Sequence, residues 1–138
     1  MSVLRRPNLV GLPSAEEAGR QAYRMAEVTP QQVKVAEVHD CFAIAEIIHY
    51  ENLGFCARGE GGKFIEEGLD SARVHVSTSG GLLSKGHPLG ATGLAQCYEL
   101  VNQLRHNAGH RQVPDANIAL QHNLGLGGAA VVTMYRSL

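Results

Sequence analysis

Apolar positions three and four residues apart open the first periodic segment of the chain. Between Ser14 and Glu27, Ala18, Ala22, Tyr23, Met25 and Ala26 fall on one helical stripe. Ser14 with Glu17 three residues on has the pattern of a capping box, and Thr29-Pro30 stops the helix. Val33 to Val38 then reads as a strand. A second helix is expected from Asp40 through "CFAIAEIIHYENLG", with Gly54 just beyond its end. Residues 55–72 form a glycine-rich insertion loop with room for a short hairpin. "RVHVSTS" alternates as a strand. A helix of about four turns follows from Ala91 to His106, with Leu94, Cys97, Tyr98, Val101 and Leu104 as its inward face. "NIALQH" and "AAVVTMYRS" read as strands, and the short glycine-rich "NLGLGG" between them makes them antiparallel neighbours.

The order α-β-α-loop-β-α-β-β implies an α/β fold, a partly parallel sheet covered by helices. Residues 1–13 read as an arm leading into it, and 138 residues suit one domain. Apolar residues make up 44% and charged residues 18%, which excludes a disordered chain. The net charge of -1 and the lack of a dense Lys/Arg cluster point away from nucleic acid. No apolar run is long enough for a membrane span, and "SVLRRPNLVG" lacks the apolar region of a signal peptide. Three cysteines without a C-x-x-C spacing argue against a disulfide scaffold or a cysteine-rich zinc site, and fit a reducing compartment.

Candidate chemistry gathers at three places. In "SKGHPLGATG", Pro88 holds His87 extended, and Gly86 and Gly90 permit close backbone approach on either side. The ring then sits beside a helix N-terminus, whose positive end favours neutral imidazole. A neutral ring can take a proton from a nucleophile or donate to an oxyanion; it can equally be a loop histidine bonded to backbone. In "VAEVHDCFA", His39 ends a strand, where ligands collect in open α/β sheets. Asp40 reads as an N-cap and Cys41 as the first helical residue. That placement would lower the thiol pKa, although free cysteine also behaves as a small buried apolar residue. Phe42 and Ile44 are expected to pack beneath the site, and Cys97 to lie in the core. Third, His122 and Asn123 end a strand, with polar groups at the same sheet edge. Gly125-x-Gly127 precedes a strand, which excludes a dinucleotide-binding reading. His106 and His110, four apart across Gly109, read as exposed end-of-helix residues before a metal pair.

These pieces, in this order, resemble the C-terminal part of a thiolase. "GHPLGATG" is similar to that family's histidine signature. "HDCFA" resembles the variant of the sterol-carrier-protein-type thiolases, where most thiolases have Asn-Glu-Ala-Phe. "QLRHNAGHRQVPDANIALQHNLGLGGAAVV" is similar to the end of the same subfamily. The resemblance implies a thiolase-like C-terminal half, expected to lack its first strand, and acyltransfer on 3-oxoacyl-CoA through an acyl-cysteine. By the match, His87 activates the nucleophile and helps form an oxyanion hole. His39 replaces the asparagine that holds a water in that hole, and Cys41 moves the proton at the reacting carbon. Asn123-Leu124-Gly125 stands where most thiolases have Cys-x-Gly, so Asn123, Gly125 and Phe42 are expected to line the site. The family's nucleophilic cysteine belongs to the N-terminal half.

The resemblance thus implies an acyltransferase inactive without that half, with acyl-CoA as substrate and no further cofactor or metal. Partners would be a thiolase N-terminal half, a homologous subunit or a second copy. The alternatives are a non-catalytic acyl-CoA or lipid-binding or assembly subunit, and a subunit of a thiolase-like aldolase. A zinc site of His39, Cys41 and His87 is the outsider. "YRSL" is a poor peroxisomal address, which favours the cytoplasm, or the peroxisome in a eukaryote.

Overall fold

Among the residues the structure describes, β1 (Val35–Glu37), β2 (His75–Val76), β3 (Ile118–Leu124) and β4 (Ala130–Arg136) form one sheet in the order β2-β1-β3-β4. The computed structural model describes residues 11–67 and 73–137. β1 runs parallel to β2 and β3, pairing Val35 with His75 and with Ala119. β3 and β4 are antiparallel from Ile118↔Arg136 to Leu124↔Ala130, as the tight glycine connection predicts. The α-helices among the described residues are α1 (Pro13–Ala26), α2 (Ala43–Asn52), α3 (Gly61–Glu66), α4 (Gly81–Lys85) and α5 (Thr92–Leu104).

Strand alternation sends successive side chains to opposite faces. Ala36, Val38 and Leu120 join Tyr23 of α1 and Leu53 in one core. Val35 and Ala119 join Leu100 of α5, Val113 and Ala116 in the other. The sheet is therefore a middle layer between α1 and α2 on one side and α5 on the other.

Several local expectations give way to tertiary contacts. Pro13 starts α1, its N-cap Leu12 makes no side-chain bond, and Glu17 binds Arg20 and Gln21 instead of closing a capping box. The capping box that does form is Thr29 with Gln32, around a 3-10 turn at Pro30–Gln32. α1 buries Ala15, Gly19, Ala22 and Tyr23, while Met25 is exposed. The loop expected over 55–72 contains α3. Gly61 seats it on α2, since a Cβ there would lie 2.7 Å from Ile47 Cγ2, and its N–H donates to Glu51. Residues 68–72 of that stretch and 1–10 of the leading arm lie outside the described residues.

α5 is the largest correction. Its buried positions are Thr92, Gln96, Glu99, Leu100 and Gln103. Leu94 and Tyr98, expected inside, are 75% and 71% exposed, and Cys97 is only partly buried. The polar face is satisfied by a network. Gln103 donates to Thr78 and the Arg111 carbonyl, and Arg111 meets Glu99 at 2.9 Å. Burial alone would raise the Glu99 pKa; Arg111, Gln103 and Thr78 together bring it below the usual carboxylate value.

Candidate functional site

The C-terminal ends of β1 and β3 and the loop before α5 meet around an open hollow of about 780 Å³. His39, Cys41, His87, Cys97, Asn123 and Gly125 all line it. His39 lies two residues beyond β1, where the strand ends and the chain turns toward α2. His87 follows Gly86, whose φ of 84° is a left-handed value that glycine tolerates. The two imidazoles meet edge to face with centroids 4.8 Å apart.

The His87 ring is held from behind. His87 Nδ1 lies 2.7 Å from Thr92 Oγ1, and that hydroxyl lies 3.2 Å from the Pro88 carbonyl. A carbonyl only accepts, so the hydroxyl proton goes to Pro88 and Thr92 Oγ1 accepts Nδ1–H. In the neutral ring this tautomer puts the acceptor lone pair on Nε2. Removing the hydroxyl with Thr92→Val should release the preference. A hydrogen bond worth about 1 kcal/mol corresponds to a roughly fivefold shift in tautomer ratio. Nitrogen–proton correlation spectra of the ring should show one tautomer in the wild type and a mixture in the variant. An unchanged spectrum would refute the assignment.

His39 is buried, and burial pushes its pKa down, helped by His87; Asn123 and Asp40 work the other way. It is accordingly neutral at pH 7. Asn123 donates to Gln96 Oε1 at 2.6 Å, and Gln121 donates to the Gly93 carbonyl at 2.8 Å. These bonds fasten β3 to the start of α5. Gly125 N–H bonds the Ala129 carbonyl and closes the turn into β4.

Several expected placements change. α2 begins at Ala43 with Phe42 as its N-cap position, so Cys41 precedes the helix. The structural premise for a helix-activated thiol is therefore missing, although Cys41 does face the hollow. Asp40 caps no part of α2; its carboxylate reaches Leu82 and Leu83 instead. Phe42 and Ile44 do not pack beneath the site but are 69% and 63% exposed. Cys97 lines the hollow where core packing was expected. His122 and Asn123 do not share a face. β3 continues to Leu124, and His122 turns to the side opposite Asn123.

His122 belongs to a buried line of imidazoles. Its Nδ1 accepts the His39 backbone N–H at 3.5 Å, and its ring meets His49 of α2 edge to face at 4.3 Å. Burial lowers the His49 pKa to about 4 and that of His122 to about 3, with neighbouring histidines adding to both shifts. Both nitrogens of His49, His122 Nε2 and His39 Nδ1 are buried with no hydrogen-bond partner among the described residues. Sequence reasoning passed over His49, although a histidine inside the apolar run "AIAEIIHY" was the available signal.

Cys56 lies elsewhere, in a depression with Phe55, Phe64 and Arg73. Burial, Glu51 and Glu60 push its thiol up to about 11, so it is protonated at neutral pH. His106 and His110 are exposed at the end of α5 and in a 3-10 turn. Among the described residues no group of three or more His, Cys, Asp or Glu is placed to share a metal ion, so the zinc arrangement does not assemble. Nor, among them, is any helix long and apolar enough to cross a membrane.

This architecture has close counterparts. The chain is 55% identical over 130 residues to sterol carrier protein 2 of Rattus norvegicus, covering 93% of the chain and 24% of that protein. It is 45% identical over 133 residues to an acetyl-CoA acetyltransferase of Methanothermobacter thermautotrophicus, covering 94% and 35%. Among solved structures, the Ltp2-ChsH2(DUF35) aldolase superposes with a TM-score of 0.84 at 25% identity, over 96% of this chain and 34% of that one. The chain thus spans about a quarter to a third of the length of these relatives. The family profile described as thiolase C-terminal domain-like matches residues 1–135, and the fold around the hollow agrees with it. The chain belongs to the thiolase C-terminal domain-like family.

Proposed function

We propose that this chain supplies the proton-transfer and oxyanion-binding groups of a thiolase-type acyltransfer on 3-oxoacyl-CoA. The observation that carries the reading is the edge-to-face contact of His39 and His87 at the mouth of a hollow that Cys41 also lines. His87 takes the proton of an attacking thiol on Nε2 and then, as imidazolium, donates to the oxyanion. His39 holds a water in the same hole, and Cys41 exchanges the proton on the carbon that forms or breaks the bond. Asn123 of β3 and Gly125, just past its end, line the hole. The nucleophile comes from a thiolase N-terminal half in the same assembly. Support for such a partner comes from the exposed apolar residues Leu89, Leu94 and Leu126, all on the rim of the hollow. An apolar rim of this kind marks an interaction surface.

The test is reconstitution. The 138-residue chain alone should not cleave 3-oxoacyl-CoA, and adding a thiolase N-terminal half should restore cleavage. Leu94→Asp should weaken the restored activity by lowering association, so excess partner should rescue it. Failure of every thiolase N-terminal half to restore cleavage would defeat the reading. The similarity to an aldolase structure favours a second reading, a subunit for carbon–carbon cleavage without an acyl-cysteine. Activity that survives alkylation of the partner's thiols would select it. Saturable acyl-CoA binding to the chain alone, with no turnover in any assembly, would select a carrier or assembly role.

A further inference from the structure

Asp40 sits between His39 and Cys41 and is 1% exposed. A carboxylate so deeply buried is costly unless it is fully hydrogen-bonded. Its partners lie 42 and 43 residues away: Oδ1 accepts the Leu82 N–H at 2.8 Å and Oδ2 the Leu83 N–H at 3.4 Å. Those are among the first amides of α4, which have no partner within their own helix. Each side therefore supplies what the other lacks. Gly81 completes the fit. A Cβ there would stand 1.9 Å from Asp40 Oδ2, and its φ of +61° already disfavours a side chain. The carboxylate occupies the space a side chain would need.

The neighbouring carboxylate works on the same loop. Glu37, also buried, accepts the Ser79 N–H at 3.0 Å and the Ser79 hydroxyl at 2.7 Å. Two acidic side chains from the end of β1 thus hold the segment that turns through Gly86 into His87. Glu37 holds its start, and Asp40 holds the short helix itself.

We propose that Asp40 is a positioning residue that locks the His39–Cys41 loop to the His87 loop through α4, and so sets the contact between the two imidazoles. Its functional meaning rests on the acyltransfer reading, whereas its geometry does not. The residue touches no reacting atom. It fixes His39 and Cys41, which flank it in sequence, relative to His87, which follows α4 by two residues.

Amide exchange and ring contacts on the chain itself test this. In Asp40→Ala, the Leu82 amide should exchange at least about tenfold faster, as expected for losing a hydrogen bond to a charged group. The through-space signal between the His39 and His87 rings should vanish. The signal between His49 and His122, deeper in the core, should remain. Asp40→Asn keeps the acceptor that serves Leu82 and should rescue most of the protection and of the ring signal. Gly81→Ala should abolish the ring signal from the other side. Its stability cost should be smaller in the Asp40→Ala background, because the colliding carboxylate is gone. Should Asp40→Ala fail to fold, Asp40→Asn and Gly81→Ala carry the same readouts. A retained ring signal in folded Asp40→Ala or Gly81→Ala, or unchanged Leu82 exchange in Asp40→Ala, overturns the lock. None of these measurements uses acyl-CoA, so an inactive reconstituted assembly would count against the acyltransfer reading alone.

Discussion

His87→Ala should lower kcat of the reconstituted assembly about 10²- to 10⁴-fold, the range for removing a positioned acid–base group. KM should change little, because the imidazole acts on the developing charge and not on the bulk of a CoA ester. The cost to folding should be small. His87 is only partly buried, its loop is held by Asp40 and Glu37, and the ring's own bond is local, to Thr92. Stopped-flow thiolysis with matched melting curves separates the two effects. A variant retaining more than about a tenth of wild-type kcat would remove His87 from the chemistry. A loss confined to KM would make it a binding residue. The parallel change at Cys56, whose thiol stays protonated and lies away from the hollow, should leave the rate unaltered.

Acid should unfold the chain through its buried imidazoles. In the unfolded chain a histidine titrates near pH 6.5, whereas His49 and His122 in the fold do so near 4 and 3. The unfolded state therefore binds protons first. Stability is complete above about pH 6.5 and falls as pH drops toward the folded values, where the loss levels off. Each group removes up to about 1.4 kcal/mol per pH unit, so two pH units cost the pair roughly 5 kcal/mol. That is a large part of the about 5–15 kcal/mol that holds an ordinary domain together. His39, shifted in the same direction, adds to the effect, while Asp40 opposes it at both His39 and His49. Urea melts from pH 7.5 to 5 should show a steep decline, and His49→Leu should remove close to half of the slope. A flat profile, or a slope indifferent to that substitution, would mean that the rings are hydrated or already charged in the fold.

The alternating strands, the β3–β4 hairpin and the stop at Gly54 were legible because each depends on neighbours in sequence. A strand's period, a short glycine turn and a left-handed residue after a helix are local matters. Gly54 has that left-handed backbone, with φ 75°. The histidines at 39 and 87 could be picked out because they stand at strand ends or glycine corners, where a chain has no packing reason to place an imidazole.

The misread residues are those whose partners are distant in the chain. Asp40 has the composition of an N-cap, but Leu82 and Leu83 take its oxygens, so α2 starts later and Cys41 falls outside it. The apolar side of α5 resembles a core stripe. Yet Thr78 and Arg111 satisfy its polar side, and Leu94 and Tyr98 are left outward. A hydrophobic stripe records that apolar surface is to be covered, not by which surface. His122 and Asn123, adjacent in sequence, were separated by the pleat onto opposite faces. By itself, then, the amino-acid order determined the family, the antiparallel pairing of β3 with β4 and the placing of His39 at a strand end and His87 at a glycine corner. Only the tertiary structure decided which side of α5 faces inward and which carboxylate joins the two histidine loops. Burial and buried hydrogen bonds are settled between residues tens of positions apart, where local propensity has no say.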